Sequence, residues 1–177
     1  MHTPKPLLAL LLAASASMAQ AEPLKIGLIL PLTGPFASTG KQIEAGARLY
    51  MAQQGDTVAD RKVELIVKDD TGAPDMAKRI AQELVVNDKV SVLAGFGLTP
   101  LAMATAPIAT QSKTPLVVMA AATSSITEAS PYIVRTSFTV PQVVTTLADW
   151  ASANNIRKVV TLVTDYAPGV DSEKYFN

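Results

Sequence analysis

The sequence lacks cysteine entirely, and its only histidine is His2. Without cysteine there is no disulfide and no thiolate chemistry. Beyond residue 2 there is also no imidazole that could act as a general base or bind a metal ion. These absences exclude most hydrolytic triads and the usual zinc sites, so we expect neither a metal nor another cofactor.

An excess of charge is missing as well. Fifteen basic residues balance fifteen acidic ones, and the basic residues form no cluster. A nucleic-acid partner is therefore not expected. Aromatic residues make up only 5% of the chain, but 49% of the residues are hydrophobic, which is enough for a globular core.

The chain has no apolar run long enough for a membrane helix, which needs about 20 residues. The apolar stretch Leu7–Ala19 is shorter; it follows Lys5 and ends in the small-residue pattern AQA at 19–21. This order of features is typical of a secretory signal peptide, which we predict over residues 1–21. The mature chain would then begin near Glu22, in the periplasm. A buried N-terminal helix is the alternative, and the prolines beside the lysine disfavour it.

The remainder alternates between apolar strands and amphipathic helices. Strands are predicted at 24–30, 62–69, 90–96, 115–121, 132–138 and 157–165. Helices are predicted at 39–55, 74–88, 100–111 and 141–155, with Tyr50, Met51, Met76, Met103 and Trp150 at core-facing positions. Several strands are nearly continuous runs of valine, leucine and isoleucine, as in sheets buried on both faces. The pattern predicts an α/β fold with an open parallel sheet flanked by helices.

Two glycine-rich loops resemble nucleotide-binding motifs without matching them. In LPLTGPFASTGK (30–41), five residues separate Gly34 from Gly40 where a phosphate loop has four, and the residue after Lys41 is not serine or threonine. In GFGLTP (95–100), proline stands where the dinucleotide fingerprint has its third glycine. We therefore do not predict a nucleotide site.

Three loops that follow strands are expected to meet at one edge of the sheet. They are residues 36–40, 95–99 and 121–125, and ligands of open α/β sheets bind outside the carboxyl ends of the strands. Glycine and alanine in these loops would let the backbone approach a ligand closely, and helix N-termini would offer free N–H groups. Thr99 and Thr123 add hydroxyl groups. The chemistry favours a carboxylate held without a cation.

Two of the loop hydroxyls have a structural alternative. Thr99 precedes proline and is expected to cap the following helix, while Ser125 and Glu128 have the spacing of a capping box. The second pattern leaves Thr123 as the better ligand-binding candidate. Asp69, Asp70 and Asp165, at strand ends, could serve an enzyme, but we interpret them as solvated carboxylates and predict no catalytic activity.

At these residues the chain resembles the periplasmic substrate-binding proteins of branched-chain amino-acid type ABC importers. The matching stretches are KIGLILPLTGPFASTGKQIEAGARLY, VELIVKDDTGAPDMAKRIAQELV, VLAGFGLTPLAMATAPIA, PLVVMAAATSSIT and IVRTSFTVPQ. The resemblance implies two α/β lobes that clamp a ligand between them. Residues 22–138 would form the N-terminal ligand-binding lobe. Residues 139–177 would form the crossover and the incomplete start of the second lobe.

The resemblance also implies roles for single residues. A serine that binds the ligand carboxylate falls on Thr99, and an alanine and a threonine with the same role match Ala121 and Thr123. A tyrosine of the first loop falls on Thr39, and a tyrosine of the second lobe lies near Tyr166. The candidate ligand-binding residues are thus Phe36, Thr39, Leu98, Thr99, Ala121, Ala122, Thr123 and Tyr166.

The function that the resemblance implies is delivery of a small carboxylate-bearing solute to the membrane permease of an ABC importer. The solute would be a branched-chain or related amino acid, or an aromatic acid. An exported ligand sensor of the same fold is an alternative. An enzyme on a similar nucleotide-binding sheet is a further alternative, but it would need the nucleotide fingerprint that the chain lacks.

Overall fold

The computed structural model describes residues 21–177. The predicted signal peptide therefore lies outside the described residues except for Ala21. Within the described part, no helix combines the length and the apolar character that crossing a bilayer requires.

This part of the chain forms six strands and five helices. The strands are β1 Leu24–Leu30, β2 Thr57–Val58, β3 Arg61–Asp69, β4 Val92–Gly95, β5 Leu116–Val118 and β6 Ile133–Arg135. The helices are α1 Ala37–Gln54, α2 Pro74–Val86, α3 Thr99–Ser112, α4 Val140–Ala153 and α5 Ala167–Phe176. A 3-10 turn, Ser124–Glu128, lies between β5 and β6. The four predicted helices are confirmed with small shifts at their ends.

The strands form one sheet in the order β2-β3-β1-β4-β5-β6. All neighbours are parallel except β2, a two-residue strand that pairs antiparallel with β3 and that the sequence pattern does not reveal. The predicted fold class, an open and mostly parallel sheet with flanking helices, is confirmed. The strand order reverses around β1, since β3 lies on one side of it and β4 on the other. That reversal creates a crevice at the carboxyl end of β1.

The alternation of side chains along the strands divides the core into two layers. On one face, Ile29 and Leu93 pack with the apolar stripes of α2 and α3, including Leu84 and Leu101. On the other face, Leu28, Leu30 and Ala94 form a smaller cluster, against which Ile43 of α1 packs. Because successive residues of a strand point to opposite faces, α1 lies across the sheet from α2 and α3.

Some predicted core residues of the helices are exposed. Tyr50, Met103 and Trp150 are 67%, 40% and 56% exposed, so the prediction that they are core residues is wrong. Met76 does pack against the main core. The helical period places an apolar residue on a face, but whether that face is covered depends on the neighbouring elements.

The predicted sixth strand, residues 157–165, is also wrong. This segment pairs with no strand of the described part, and its Val160 and Leu162 are 95% and 99% exposed. A strand exists only where a neighbouring strand satisfies its N–H and C=O groups. The apolar run gives the segment strand character, but no described strand lies beside it.

Candidate functional site

The loops that follow β4 and β5 are linked by backbone hydrogen bonds to each other and to the end of β1. The N–H of Phe96 donates to the carbonyl of Ile29 at 2.9 Å, and the N–H of Ala121 donates to the carbonyl of Phe96 at 3.0 Å. Phe96 has a positive φ of 64° and a fully buried side chain. The strained turn directs its ring into the core, while its backbone joins the end of β1 to the loop after β5. The second and third predicted loops therefore lie side by side at one edge, and Phe36 of the first predicted loop lines a cavity together with Leu98 of the second.

The glycines of the second loop serve packing within the protein. A Cβ at Gly97 would lie 2.8 Å from Cγ of Pro31, and a Cβ at Gly95 would overlap the carbonyl of Ile29. Gly95 also has a φ of +114°, a conformation that favours glycine. β1 and the loop after it thus require glycine at both positions, and the close approach of this backbone to a ligand stays a prediction.

The hydroxyl groups of Thr99 and Thr123 lie 2.8 Å apart and form a hydrogen bond. Both residues are only 3% exposed, although 24 residues separate them in sequence. A pair of hydroxyls shares one hydrogen, so the second hydrogen remains available to donate to another group. Thr99 is also the first residue of α3, and its N–H has no acceptor within the helix. Donors therefore gather at the point where the second and third loops meet.

Thr99 does not cap its helix. The capping position is occupied by Leu98, in an extended conformation and without a side-chain hydrogen bond to the helix. Thr99 and Pro100 are the first two helical residues. The capping hypothesis for Thr99 is wrong because its hydroxyl bonds across to Thr123.

The loop after β5 leads into a short 3-10 turn rather than an α-helix. Its dipole is therefore small compared with that of the 14-residue α3. Ser125 is exposed and forms no capping box. The N–H of its neighbour Ser124 donates to the Asp171 carboxylate instead, at 2.8 Å.

A cavity of about 390 Å³ lies beside the start of α3. Three of the predicted site residues line it, namely Phe36, Leu98 and Tyr166. Its other lining residues are Gly72, Pro74, Pro100, Leu101 and Thr164. The cavity combines two aromatic side chains with an aliphatic wall, and α5 begins directly after its Tyr166.

The remaining predicted site residues lie outside this cavity. Thr39 is in the first turn of α1 and is not among the lining residues. Ala121 is buried at 3% exposure, and the carbonyl of Ala122 accepts from the N–H of Val140 at 2.8 Å. The predicted site residues thus fall into two sets. An aromatic group, Phe36 and Tyr166, lines the cavity, and a polar group lies around Thr99 and Thr123. Leu98, adjacent to Thr99, connects the two groups.

Two charged residues near the polar group were not predicted. Arg135 of β6 donates to the carbonyls of Ala122 and Thr123 at 3.2 Å and 2.6 Å. Asp171 of α5 accepts from both the N–H and the hydroxyl of Ser124. Burial lowers the pKa of Arg135, and the negative charge of Asp171 partly opposes that effect. The position of Arg135 inside the apolar run YIVRTSF could have marked it as a residue with a specific role. Nothing in the local sequence marks Asp171 in this way.

The strand-end carboxylates are not all solvated. Asp70 is fully buried, and one of its oxygens has no partner among the described residues. Burial raises the pKa of Asp70; the N–H of Gly72 opposes this effect and the charge of Asp69 adds to it. The interpretation of Asp70 as a solvated carboxylate is wrong, whereas Asp165 is exposed as expected.

Asp69 holds the loop after β1. It accepts from the N–H of Leu32 and the hydroxyl of Thr33, at 2.9 Å and 2.7 Å, and from the N–H of Thr71 at 2.9 Å. Burial opposes its ionisation, but these hydrogen bonds together hold the pKa of Asp69 below its ordinary value of 3.8. Among residues 21–177 no group of three potential metal ligands is present.

Comparisons with known proteins agree with this architecture. A family model described as periplasmic binding protein matches residues 23–177. A Leu/Ile/Val-binding protein homolog 6 of Brucella abortus is 50% identical over 163 residues, which are 92% of this chain and 42% of the relative. The chain thus spans about two fifths of the length of that relative.

Solved structures with the same fold include two solute-binding proteins of ABC transporters from Rhodopseudomonas palustris. One, from strain BisB5 in complex with 3,4-dihydroxybenzoic acid, is 60% identical with a TM-score of 0.85. The other, from strain HaA2 in complex with p-hydroxybenzoic acid, is 46% identical with a TM-score of 0.84. Both alignments cover 86% of this chain and 42% of the solved chain. The resemblance inferred from the sequence is confirmed, and the chain belongs to the periplasmic binding protein family.

Proposed function

We propose that the protein binds a small carboxylate-bearing solute in the periplasm and delivers it to the membrane permease of an ABC importer. The preferred solute is an aromatic acid of the hydroxybenzoate type. The carboxylate lies against the start of α3 and the hydroxyls of Thr99 and Thr123. The ring occupies the cavity that Phe36, Leu98 and Tyr166 line.

The observation that carries this proposal is the buried hydroxyl pair at a helix N-terminus next to an aromatic cavity. Thr99 and Thr123 are 2.8 Å apart, and one hydroxyl hydrogen of the pair is free to donate. The N–H of Thr99, the first residue of α3, and the positive end of the helix dipole favour an anion. No charged side chain is among the residues that line the cavity, so the rest of the ligand is expected to be uncharged.

The relatives support an aromatic ligand over an aliphatic one. The two Rhodopseudomonas palustris proteins were solved with hydroxylated benzoic acids, one at 60% identity to this chain. The Brucella abortus relative carries a branched-chain amino-acid name at 50% identity. Two aromatic side chains in the cavity match a planar ring, which gains from stacked or edge-to-face contacts.

We further propose that binding is the whole activity and that no bond is made or broken. The strand-end carboxylates Asp69 and Asp70 have structural partners or are fully buried. The relatives in the comparisons are solute-binding proteins. The secretory signal predicted over residues 1–21 supports a periplasmic location, and N-terminal sequencing of the mature protein should begin at or near Glu22. A soluble cytoplasmic pool that retains Met1 would contradict export.

The test of the ligand class is calorimetry and thermal shift on the full-length protein. The probes are 4-hydroxybenzoate, 3,4-dihydroxybenzoate, benzoate and leucine, with 4-hydroxybenzyl alcohol as a matched control that lacks the carboxylate. An acid present at 100 times its dissociation constant should stabilise the folded state by about 2.7 kcal/mol. The alcohol should not stabilise it measurably.

The possible outcomes separate the alternatives. Binding of leucine alone would replace the aromatic acid by an amino acid. Equal binding of the alcohol and the acid would contradict the carboxylate site at α3. Binding of none of these probes would contradict the proposed ligand class as a whole.

A further inference from the structure

The peptide unit between Thr123 and Ser124 is held at both of its polar ends. The carbonyl of Thr123 accepts from Nη2 of Arg135 at 2.6 Å, and the N–H of Ser124 donates to Oδ2 of Asp171 at 2.8 Å. The C=O and N–H of a trans peptide point in opposite directions. A cation at the carbonyl and an anion at the N–H therefore both act along the peptide dipole and fix the orientation of its plane.

Each charged group makes a second contact with the same loop. Nη1 of Arg135 reaches the carbonyl of Ala122 at 3.2 Å, and Oδ1 of Asp171 accepts from the hydroxyl of Ser124 at 2.8 Å. Asp171 is only 7% exposed. A carboxylate can be buried at acceptable cost only when its oxygens are bonded, and here Ser124 supplies a donor to each oxygen.

The loop lies between two opposite charges that do not touch. Residues 21–177 contain three ion pairs, and none of them joins Arg135 to Asp171. The two charges nevertheless interact, because the charge of Asp171 partly opposes the lowering of the Arg135 pKa by burial. The loop is therefore held by hydrogen bonds from a cation at one end and an anion at the other.

We propose that Arg135 and Asp171 are positioning residues for the ligand carboxylate, an inference that rests on the proposed function. The peptide plane that they fix determines the direction of the Thr123 side chain, and with it the 2.8 Å contact to Thr99. Asp171 lies 47 residues after Ser124, on α5. The contact between Ser124 and Asp171 therefore also joins α5 to the loop after β5.

The test uses variants of the full-length protein. Asp171→Asn keeps the shape but removes the charge and one acceptor, and Arg135→Lys keeps the charge but loses the fork that reaches two carbonyls. Each should weaken binding of 4-hydroxybenzoate by about tenfold, mainly through faster dissociation. Ser124→Ala, which removes only one of the two bonds to Asp171, should have a smaller effect.

Hydrogen exchange at the Ser124 amide supplies a readout that needs no ligand. In the ligand-free protein, Asp171→Asn should speed this exchange, because the amide loses its ionised acceptor. The matched control is Glu173→Gln on the same helix, where an exposed carboxylate accepts from the hydroxyl of Thr161. The control should change neither the exchange of the Ser124 amide nor the dissociation constant.

The outcomes distinguish this inference from the proposed function. Unchanged exchange at Ser124 in Asp171→Asn would overturn the inference even if the wild-type protein binds the acid well. Faster exchange with an unchanged dissociation constant would show that the link is structural and would overturn the positioning role. A wild-type protein that binds none of the acids would overturn the proposed function, and the positioning role with it.

Discussion

The hydroxyl pair of Thr99 and Thr123 is the feature at residue scale on which the site depends. Each hydroxyl is buried and bonded to the other. Removing one leaves the other without its partner, and a buried polar group without a partner is costly. A substitution here therefore affects both folding and binding, and the two effects must be measured separately.

The first prediction concerns these two threonines. Thr99→Ala or Thr123→Ala in the full-length protein should weaken binding of the acid roughly tenfold to a hundredfold, because a hydrogen bond to a charged group is lost. Thr99→Ser should cost much less because it keeps the hydroxyl. Calorimetry gives the dissociation constants, and ligand-free melting gives the stability.

Thr105→Ala is a matched control for this prediction. Thr105 is a buried threonine of the same helix, and its hydroxyl bonds the carbonyl of Leu101. Its loss should lower the melting temperature without changing the dissociation constant. If both Thr99→Ala and Thr123→Ala leave binding intact, the ligand lies elsewhere in the crevice.

The second prediction concerns two adjacent carboxylates, Asp69 and Asp70, whose pKa values are shifted in opposite directions. The pKa of Asp69 is held below 3.8, so its contribution to stability is present above pH 3.8 and is lost as the pH falls through the folded value. The pKa of Asp70 is raised above 3.8 by burial, so stability falls as the pH rises from 3.8 through the folded value. Asp69→Asn should therefore destabilise the protein at pH 7, and Asp70→Asn should stabilise it.

Urea unfolding of both variants from pH 3 to pH 7 checks the signs. Both differences from wild type should shrink toward the acid end of this range, because both carboxylates become protonated there in the unfolded state and Asp70 becomes protonated in the folded state as well. A loss of stability at pH 7 in Asp70→Asn would mean that the charge of Asp70 is compensated, in contradiction to the burial argument.

At the scale of elements, the same short motif occurs twice and forms a cap only once. Ser125 and Glu128 have capping-box spacing but lie in an uncapped 3-10 turn. Thr139 and Gln142 have the equivalent spacing and form a complete capping box at the start of α4. The motif works where a full α-helix follows, and that depends on the space which the surrounding structure provides.

The third prediction follows from this cap. Thr139→Ala should destabilise the protein by about 1 kcal/mol, the usual cost of losing an N-cap side chain. Thr146→Ala, within the same helix, removes only a hydroxyl that bonds the carbonyl of Gln142 and should cost less. Urea unfolding measures the free energy of unfolding of both variants. Equal losses would mean that the capping hydroxyl contributes no more than an ordinary hydroxyl within the helix.

At the scale of the whole molecule, the candidate site draws on residues from both parts of the chain that the resemblance distinguishes. Phe36, Leu98 and Thr99 come from residues 22–138, whereas Tyr166 and Asp171 come from residues 139–177. A small-molecule site that buries most of its ligand needs walls on several sides. Both parts should therefore be needed for affinity.

The fourth prediction compares residues 22–138 with the full-length protein. The shorter protein lacks Tyr166, Thr164 and Asp171, and its affinity for the acid should be at least about tenfold lower. Tyr166→Ala in the full-length protein provides a second measurement that does not require the shorter protein to fold, and it should also weaken binding. Equal affinity of all three proteins in calorimetry would contradict a ligand enclosed by both parts.

The sequence by itself determined the fold class, four of the five helices and the edge of the sheet at which the loops meet. These features follow from local patterns, since a continuous apolar run predicts a buried strand and a helical period predicts a helix. The same patterns drew attention to Thr99 and Thr123 because both follow a strand end.

Only the tertiary structure decided how those residues are used. Thr99 bonds Thr123 instead of capping its helix, Gly97 makes room for Pro31, and Trp150 is exposed. Asp171 meets Ser124 across 47 residues, a contact that no local pattern encodes. The physical reason is that burial, hydrogen-bond partners and pKa depend on which distant segments pack together, whereas propensity and periodicity describe one segment at a time.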